Sequence, residues 1–390
     1  MITDSQPSLS KLFASFFRLG LTAFGGPSMV AYIRRLSVQD KQWLTPGSFN
    51  DGVALCQVIP GATAMQSAAY VGLKARGVAG AAATFIGFGL PAFFLMSFLA
   101  GIYKLVINMP MTTFVFSCLQ AIIIAIIANA AISFGKNTLK EWRSVFITAI
   151  SVALFWMQVN PIIIIVVSAC AGIVLDVKAE TDKSTASIRE KTKSTLRPVL
   201  LILSLYAVIL LILFFLNRDM FTLSTLMFRI DLFAFGGGFA SVPLMYHEIV
   251  EVRHMLDAQA FLNGIALGQV TPGPIVITAT FVGYLIAGMW GGIIGTISIF
   301  LPSFMMVVGV TPFFDRLRNQ KYFNAIITGI LSSFVGLLFV VTVRFATDVH
   351  WGPAQIFLGA AALIALFLQT DILYVVLAGV AMSAAYFLMF

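Results

Sequence analysis

Charge is what this sequence has least of. Asp, Glu, Lys and Arg make up 10% of 390 residues, and there are three histidines and three cysteines. A soluble globular chain carries about 25% charged residues, so that class is excluded. Cys56, Cys118 and Cys170 lie scattered in apolar runs with no CxxC pair and read as buried, inert thiols. No GxSxG, no HExxH, no P-loop and no carboxylate pair at catalytic spacing occurs, which argues against an intramembrane enzyme. No cofactor and no metal is expected. The net charge of +8 sits at helix ends and in loops, so no nucleic-acid surface is expected either.

Apolar residues dominate instead: 59% of the chain, with a mean hydropathy of +0.98. Runs of 18 or more apolar residues recur, and lipid demands an internally bonded backbone. The fold class expected is an all-α polytopic membrane protein. The alternating ten-residue segments of a barrel are missing. The first residues, MITDSQPSLSK, lack the features of a cleaved leader, so the first apolar segment is expected to stay in the protein.

About thirteen apolar segments are expected, and several are broken. The stretch Arg229–Gly238, RIDLFAFGGG, places an arginine, an aspartate and three glycines within one of them. Arg18–Pro27, RLGLTAFGGP, does nearly the same. In both, the arginine lies seven residues ahead of the first glycine, Arg18 to Gly25 and Arg229 to Gly236, which puts them on one helix face. An arginine at bilayer depth costs about 2.5–3.5 kcal/mol on insertion scales and marks a functional site.

A second pair of breaks follows. Gln57-Val58-Ile59-Pro60-Gly61 matches Gln269-Val270-Thr271-Pro272-Gly273, and Leu90-Pro91 matches Leu301-Pro302, at an offset of 211 or 212 residues. The chain is therefore an internal duplication: a first repeat over 1–177, a basic linker plus connecting helix over 178–216, and a second repeat over 217–390. If every segment spans, seven crossings separate corresponding helices and the repeats are inverted, the architecture of secondary transporters. Lys and Arg concentrate in the even-numbered loops and in the linker Lys178–Arg197. That bias puts the N-terminus in the cytoplasm and the C-terminus outside, in the plasma (inner) membrane. The connector with Arg34, Arg35 and Lys41 falls on the wrong side, which re-entrant first segments would explain.

The glycine and proline breaks open the helical ladder, and a restarting half-helix offers free N–H groups and its positive dipole end to an anion. The substrate-binding candidates are Arg18, Gly25, Gly26, Pro27, Gln57, Pro60 and Gly61 in the first repeat. In the second they are Arg229, Gly236, Gly237, Gly238, Gln269, Thr271, Pro272 and Gly273. Gln57 and Gln269 could contact substrate or brace the broken backbone. Asp231, whose counterpart is Gly20, could carry a coupling proton or neutralise an arginine of a neighbouring helix. His247, Glu248, Glu251 and His254 lie past the segment's end and read as solvated.

The paired FGGP/FGGG and QVIPG/QVTPG motifs on two homologous halves resemble the chromate ion transporter family in its long two-domain form. The resemblance covers nearly the whole chain and implies chromate efflux driven by the membrane gradient, with sulfate as the structural analogue. The shared motif carries over onto Arg18, Gly25, Gly26, Pro27, Gln57, Pro60 and Gly61, and onto Arg229, Gly236, Gly237, Gln269, Pro272 and Gly273. The two arginines match the two charges of such an oxyanion. A proton or sodium as coupling ion and a homodimer are compatible with this reading. An uptake carrier for sulfate or another oxyanion, or a passive anion channel, would suit the same residues.

Overall fold

The computed structural model describes residues 6–24, 28–176, 196–314 and 320–389. The linker residues Lys178, Lys183, Arg189, Lys191 and Lys193, and Arg316 of a later loop, lie outside them. The described residues form α-helices, with short 3₁₀ and π turns and no strand. Among the described residues, six helices could cross a membrane by length and composition, and three shorter apolar helices accompany them.

The first repeat begins with α1 (Leu9–Thr22), capped by the Ser8 hydroxyl, which accepts from the Lys11 amide at 3.2 Å. After the glycine break come α2 (Ser28–Arg34) and a π-helical turn, Arg35–Asp40. Helix α3 (Pro46–Val58) starts on Thr45, whose hydroxyl accepts from Ser48 N–H at 3.3 Å, with proline in the first turn. Helix α4 (Thr63–Val106) is two helices joined at Arg76 and Gly77, where Gly77 takes a φ of +64°.

The chain folds back at both of these breaks. A Cβ on Gly52 would lie 2.2 Å from the Tyr70 ring, on the far side of Pro60-Gly61, so α3 and the first limb of α4 are antiparallel. One on Gly72 would lie 2.2 Å from the Gly80 carbonyl, so the two limbs of α4 are antiparallel as well. The second repeat repeats both contacts, Gly264 against Phe281 and Gly283 against the Gly291 carbonyl, with a second sharp turn at Ala287 and Gly288. The segments broken by Pro60-Gly61 and Pro272-Gly273, expected as single spans, are therefore helical hairpins. Proline removes a ladder donor and the glycine accepts a φ near +115°, which together allow the reversal (Gly61 +117°, Gly273 +113°).

This folding explains the connector with Arg34, Arg35 and Lys41. The Arg76 guanidinium donates to the Pro7 carbonyl at 3.0 Å, so the turn at 76–77 and the start of α1 share one end of the molecule. The hairpin returns α3's start to that same end, and Trp43 of the connector stacks on Phe16 of α1. The exposed Arg34, Arg35 and Lys41 thus lie on the N-terminal side.

Helices α5 (Pro110–Thr138), α6 (Trp142–Trp156) and α7 (Pro161–Asp176) complete the first repeat. Helix α8 (Leu196–Leu216) stands at the periphery, held to the second repeat where the Tyr206 hydroxyl meets Ser224 Oγ at 2.9 Å. The second repeat runs through α9 (Arg218–Leu232), α10 (Ser241–Tyr246), α11 (Ala258–Val270), α12 (Thr278–Val310), α13 (Lys321–Asp348), α14 (Pro353–Phe367) and α15 (Ile372–Met389). The repeats pack through α4 and α12, with Phe85 edge-on to Phe300 and Phe304. Cys56 and Cys118 are buried as expected, but Cys170 is exposed on an outward face of α7.

Candidate functional site

The hairpin tips of each repeat bond to the first break of the other. Gly61 N–H donates to the Ala234 carbonyl at 2.9 Å, and Gly273 N–H donates to the Ala23 carbonyl at 3.1 Å. Ala23 and Ala234 immediately precede the two Phe-Gly-Gly breaks. In the second repeat, Gly236 and Gly237 take φ of +94° and +91°, and Gly238 opens a 3₁₀ turn leading into α10. A Cβ on Gly237 would lie 3.2 Å from Thr63 Oγ1, and one on Gly238 would lie 3.1 Å from Ile275 Cγ2. The starts of α4, of the turn before α10 and of the turn before α12 therefore converge. Gly25, Gly26 and Pro27 lie outside the described residues.

Side-chain capping is uneven along the chain, and the starts of α5, α6, α13 and α14 have none. Ser8, Thr45, Asn217 and Asp257 each cap a helix start with a side-chain oxygen. At the tips, Ala62, Gly237 and Pro274 provide no side-chain cap. A helix start leaves up to four N–H groups without an intrahelical partner, and at the first tip Gly61 and Ala62 give theirs to the Ala234 carbonyl and to Ser303 Oγ.

The two halves of the crossing differ in chemistry. Around Gly61, the Gln66 carboxamide donates to the Pro60 carbonyl at 2.5 Å, and Ala62 N–H donates to Ser303 Oγ at 3.0 Å. Ser303 in turn donates from Oγ at 2.7 Å and from N–H at 2.8 Å to one oxygen of Asp231, which is fully buried. Pro302 lacks an N–H and opens the α12 ladder beside Ser303. Around Gly273 the matching positions are Thr278, Ala92 and Gly20, so that half holds neither a charge nor an equivalent relay.

Asp231 bonds to Ser303 rather than to an arginine, and no arginine pairs with it among the described residues. Arg229, two residues away on another face, pairs instead with Glu248 through Nη2, and its buried Nε has no partner. Arg18 is exposed on α1, with no partner among the described residues.

Glu248 and its neighbours are not solvated. His247 and Glu248 are 4% and 5% exposed. Folding back past the triglycine break lays their π-helical turn, His247–Val252, against α9 and α13. His247 Nδ1 meets Glu251 at 2.9 Å, and Glu251 pairs with Arg344, which also donates to the Phe155 carbonyl at 2.5 Å. His254 alone of the four is exposed.

Of the glutamines, Gln57 is exposed and Gln269 holds a buried Nε2 without a partner, so neither braces a tip. Gln66 braces the first tip, and sequence reasoning passed over it. Its signal was a lone carboxamide in an apolar run three residues into a restarting helix. Ser303 was missed too, although its place directly after Pro302 is where a helix yields a donor. Thr271 is buried with its hydroxyl turned back to the Gly268 carbonyl.

The model of one family, described as chromate transporter, matches residues 10–173 and again 221–384, once for each repeat. The chain belongs to the chromate transporter family. It is 43% identical over 376 residues to an uncharacterized transporter of Methanocaldococcus jannaschii, covering 96% of this chain and 93% of that one. It is 30% identical to a chromate transport protein of Pseudomonas aeruginosa, covering 88% and 83%. A probable chromate transport protein of Synechococcus elongatus is 28% identical, covering 85% and 83%. No solved structure matches the chain. Both family matches contain an Ala-Phe-Gly-Gly break and a Gln-Val-x-Pro-Gly tip, the elements that cross here.

Proposed function

We propose that the protein is a secondary carrier of a divalent oxyanion, chromate foremost, and that it exports this anion and so confers chromate resistance. The observation that carries this reading is the reciprocal crossing of the tips, Gly61 to Ala234 and Gly273 to Ala23. It gathers uncapped helix starts from both repeats around one point, where backbone N–H groups can take the oxygens of a tetrahedral anion. Arg18 and Arg229 supply the balancing charge. Arg229 is held by Glu248 until an anion competes for its guanidinium.

The other conspicuous space does not suit an anion. A cavity of about 460 Å³ between α4 and α12 is lined by Phe85, Ile86, Phe93, Ile297, Phe300 and their apolar neighbours, and offers a dianion no charge and almost no hydrogen bond.

In this reading the repeats are inverted, the peripheral α8 being the added crossing that turns the second one over, and an exchange of the two tip pairs alternates access. An inside-negative potential favours export, by about 2.3 kcal/mol per charge per 100 mV. Uptake of sulfate by the same site is the second reading, favoured by the near-identity of the two anions in shape and charge, and a passive channel is the third. Saturable oxyanion flux in proteoliposomes, lost in Arg18→Gln and Arg229→Gln while both variants still insert, supports the carrier. Undiminished flux in both variants removes the arginines from the site.

A further inference from the structure

Asp231 is fully buried, and no cation among the described residues balances it. Its Oδ2 takes two hydrogen bonds from Ser303, while its Oδ1 has no partner. The helices packed on α9 offer no relief: the 33 residues of α12 contain no Asp, Glu, Lys, Arg or His, α10 contains none, and α8 has only Arg197 at its start. Arg229 turns to Glu248. Asp231 also lies in the last turn of α9, where the negative end of the helix dipole adds to the carboxylate's own charge. An isolated buried anion at such a place is strongly disfavoured without a bound positive charge.

A second group shares the neighbourhood. Gln66 is fully buried, its amide nitrogen is spent on the Pro60 carbonyl, and its Oε1 has no partner. A Cβ on Gly61 would meet Ser303 Oγ and, 2.8 Å away, Gln66 Nε2, so Gln66 and the Ser303–Asp231 pair flank the same tip residue. Two buried oxygens without donors, one of them a carboxylate, make a place for a cation and not for an anion.

We propose that Asp231, Gln66 and Ser303 form a site for one monovalent cation, a proton or sodium, whose occupancy sets the affinity of the neighbouring tips for the oxyanion. The coupling rests on the oxyanion-carrier reading; the cation site does not. An unoccupied carboxylate, one serine from the Ala62 amide, repels a dianion at the tips, and a bound cation removes that repulsion. Anion and cation then bind with positive linkage, each raising the other's affinity. The site exists once per chain, because Gly20 and Ala92 stand at the matching positions of the other half.

The test uses the full-length protein in detergent with two independent readouts: Tm without any anion, and equilibrium binding of radiolabelled sulfate. One arm varies sodium against choline at fixed pH, and the other varies pH in choline alone. In one of the arms, wild type should gain Tm as the cation rises. Its sulfate affinity should rise by up to about tenfold per tenfold change in cation activity. Asp231→Asn, which keeps the shape without the charge, should lose both responses, whatever other groups titrate. Retention of both responses by Asp231→Asn overturns the proposal, as does a wild type indifferent to both cations. An Asp231-dependent Tm response in a protein that binds neither sulfate nor chromate would sink the oxyanion reading and leave the cation site. Sulfate binding with no cation dependence would do the reverse. If Asp231→Asn does not fold, carbodiimide labelling of wild type decides: labelling of the Asp231 peptide should fall as pH or sodium rises, and indifference to both overturns the proposal.

Discussion

Gly61 of the first repeat donates its amide to the carbonyl of Ala234 in the second, 2.9 Å away. With its counterpart from Gly273 to Ala23, this bond ties each hairpin tip to the break that the other repeat opens. Both tip glycines hold left-handed backbone in closely filled surroundings. A Cβ at position 61 would approach Ser303 Oγ to 2.0 Å, and one at position 273 would approach the Ala92 methyl to 2.8 Å. Gly61→Ala and Gly273→Ala should each lower stability by about 1–3 kcal/mol from backbone strain alone. Each should also abolish transport, read by Tm and flux on the same preparation. Unchanged flux in either variant would detach the tips from function.

The two arginines should behave differently in stability although the proposed function gives them one role in transport. Arg229→Gln leaves the buried Glu248 with only Arg253, whose Nε lies 3.8 Å away, and should cost about 1–3 kcal/mol, moderated by the 41% exposure of the Arg229 side chain. Arg18→Gln, at an exposed position, should leave Tm unchanged. Equal Tm losses in the two variants would contradict the assigned environments.

Glu248→Gln weakens the intramolecular competitor for the Arg229 guanidinium. The KM for chromate or sulfate should fall severalfold while insertion is unaffected. A raised KM would mean that Glu248 orients Arg229 for the anion instead of competing with it.

Ser303→Ala removes the hydroxyl that links Ala62 to Asp231 but keeps the backbone donor. Losing a hydrogen bond to a charged group costs about 1.5–3 kcal/mol. The matching variant in the other half, Ala92→Ser, meets no carboxylate and should leave Tm unchanged or lower it by crowding Gly273. Thermal denaturation of the pair compares the two halves directly, and equal effects would deny their asymmetry.

The architecture was legible in the sequence where it depends on local chemistry. The offset of 211–212 residues, the Gly-Gly and Pro-Gly breaks and the helical class all follow from residue types in order. What happens after a break does not. A helix that resumes beyond Pro60 has the same periodicity whether it continues or doubles back, and only the pairing of Gly52 with Tyr70 distinguishes the two. The same limit concealed the bond between Arg229 and Glu248, which are distant along the chain and meet because the triglycine segment reverses between them. Asp231 was visible as an oddity of the second repeat, but its partner, Ser303, comes from α12 and could not be read from its own helix.

The central claim is that the crossed tips form the transport site of an oxyanion carrier. Its most direct measurement is flux of chromate and of sulfate into proteoliposomes, with an imposed membrane potential or cation gradient and without one. Chromate flux that saturates, follows the gradient and is competed by sulfate is the predicted result. Linear, unsaturated flux, or no flux of either anion under any gradient, would contradict it.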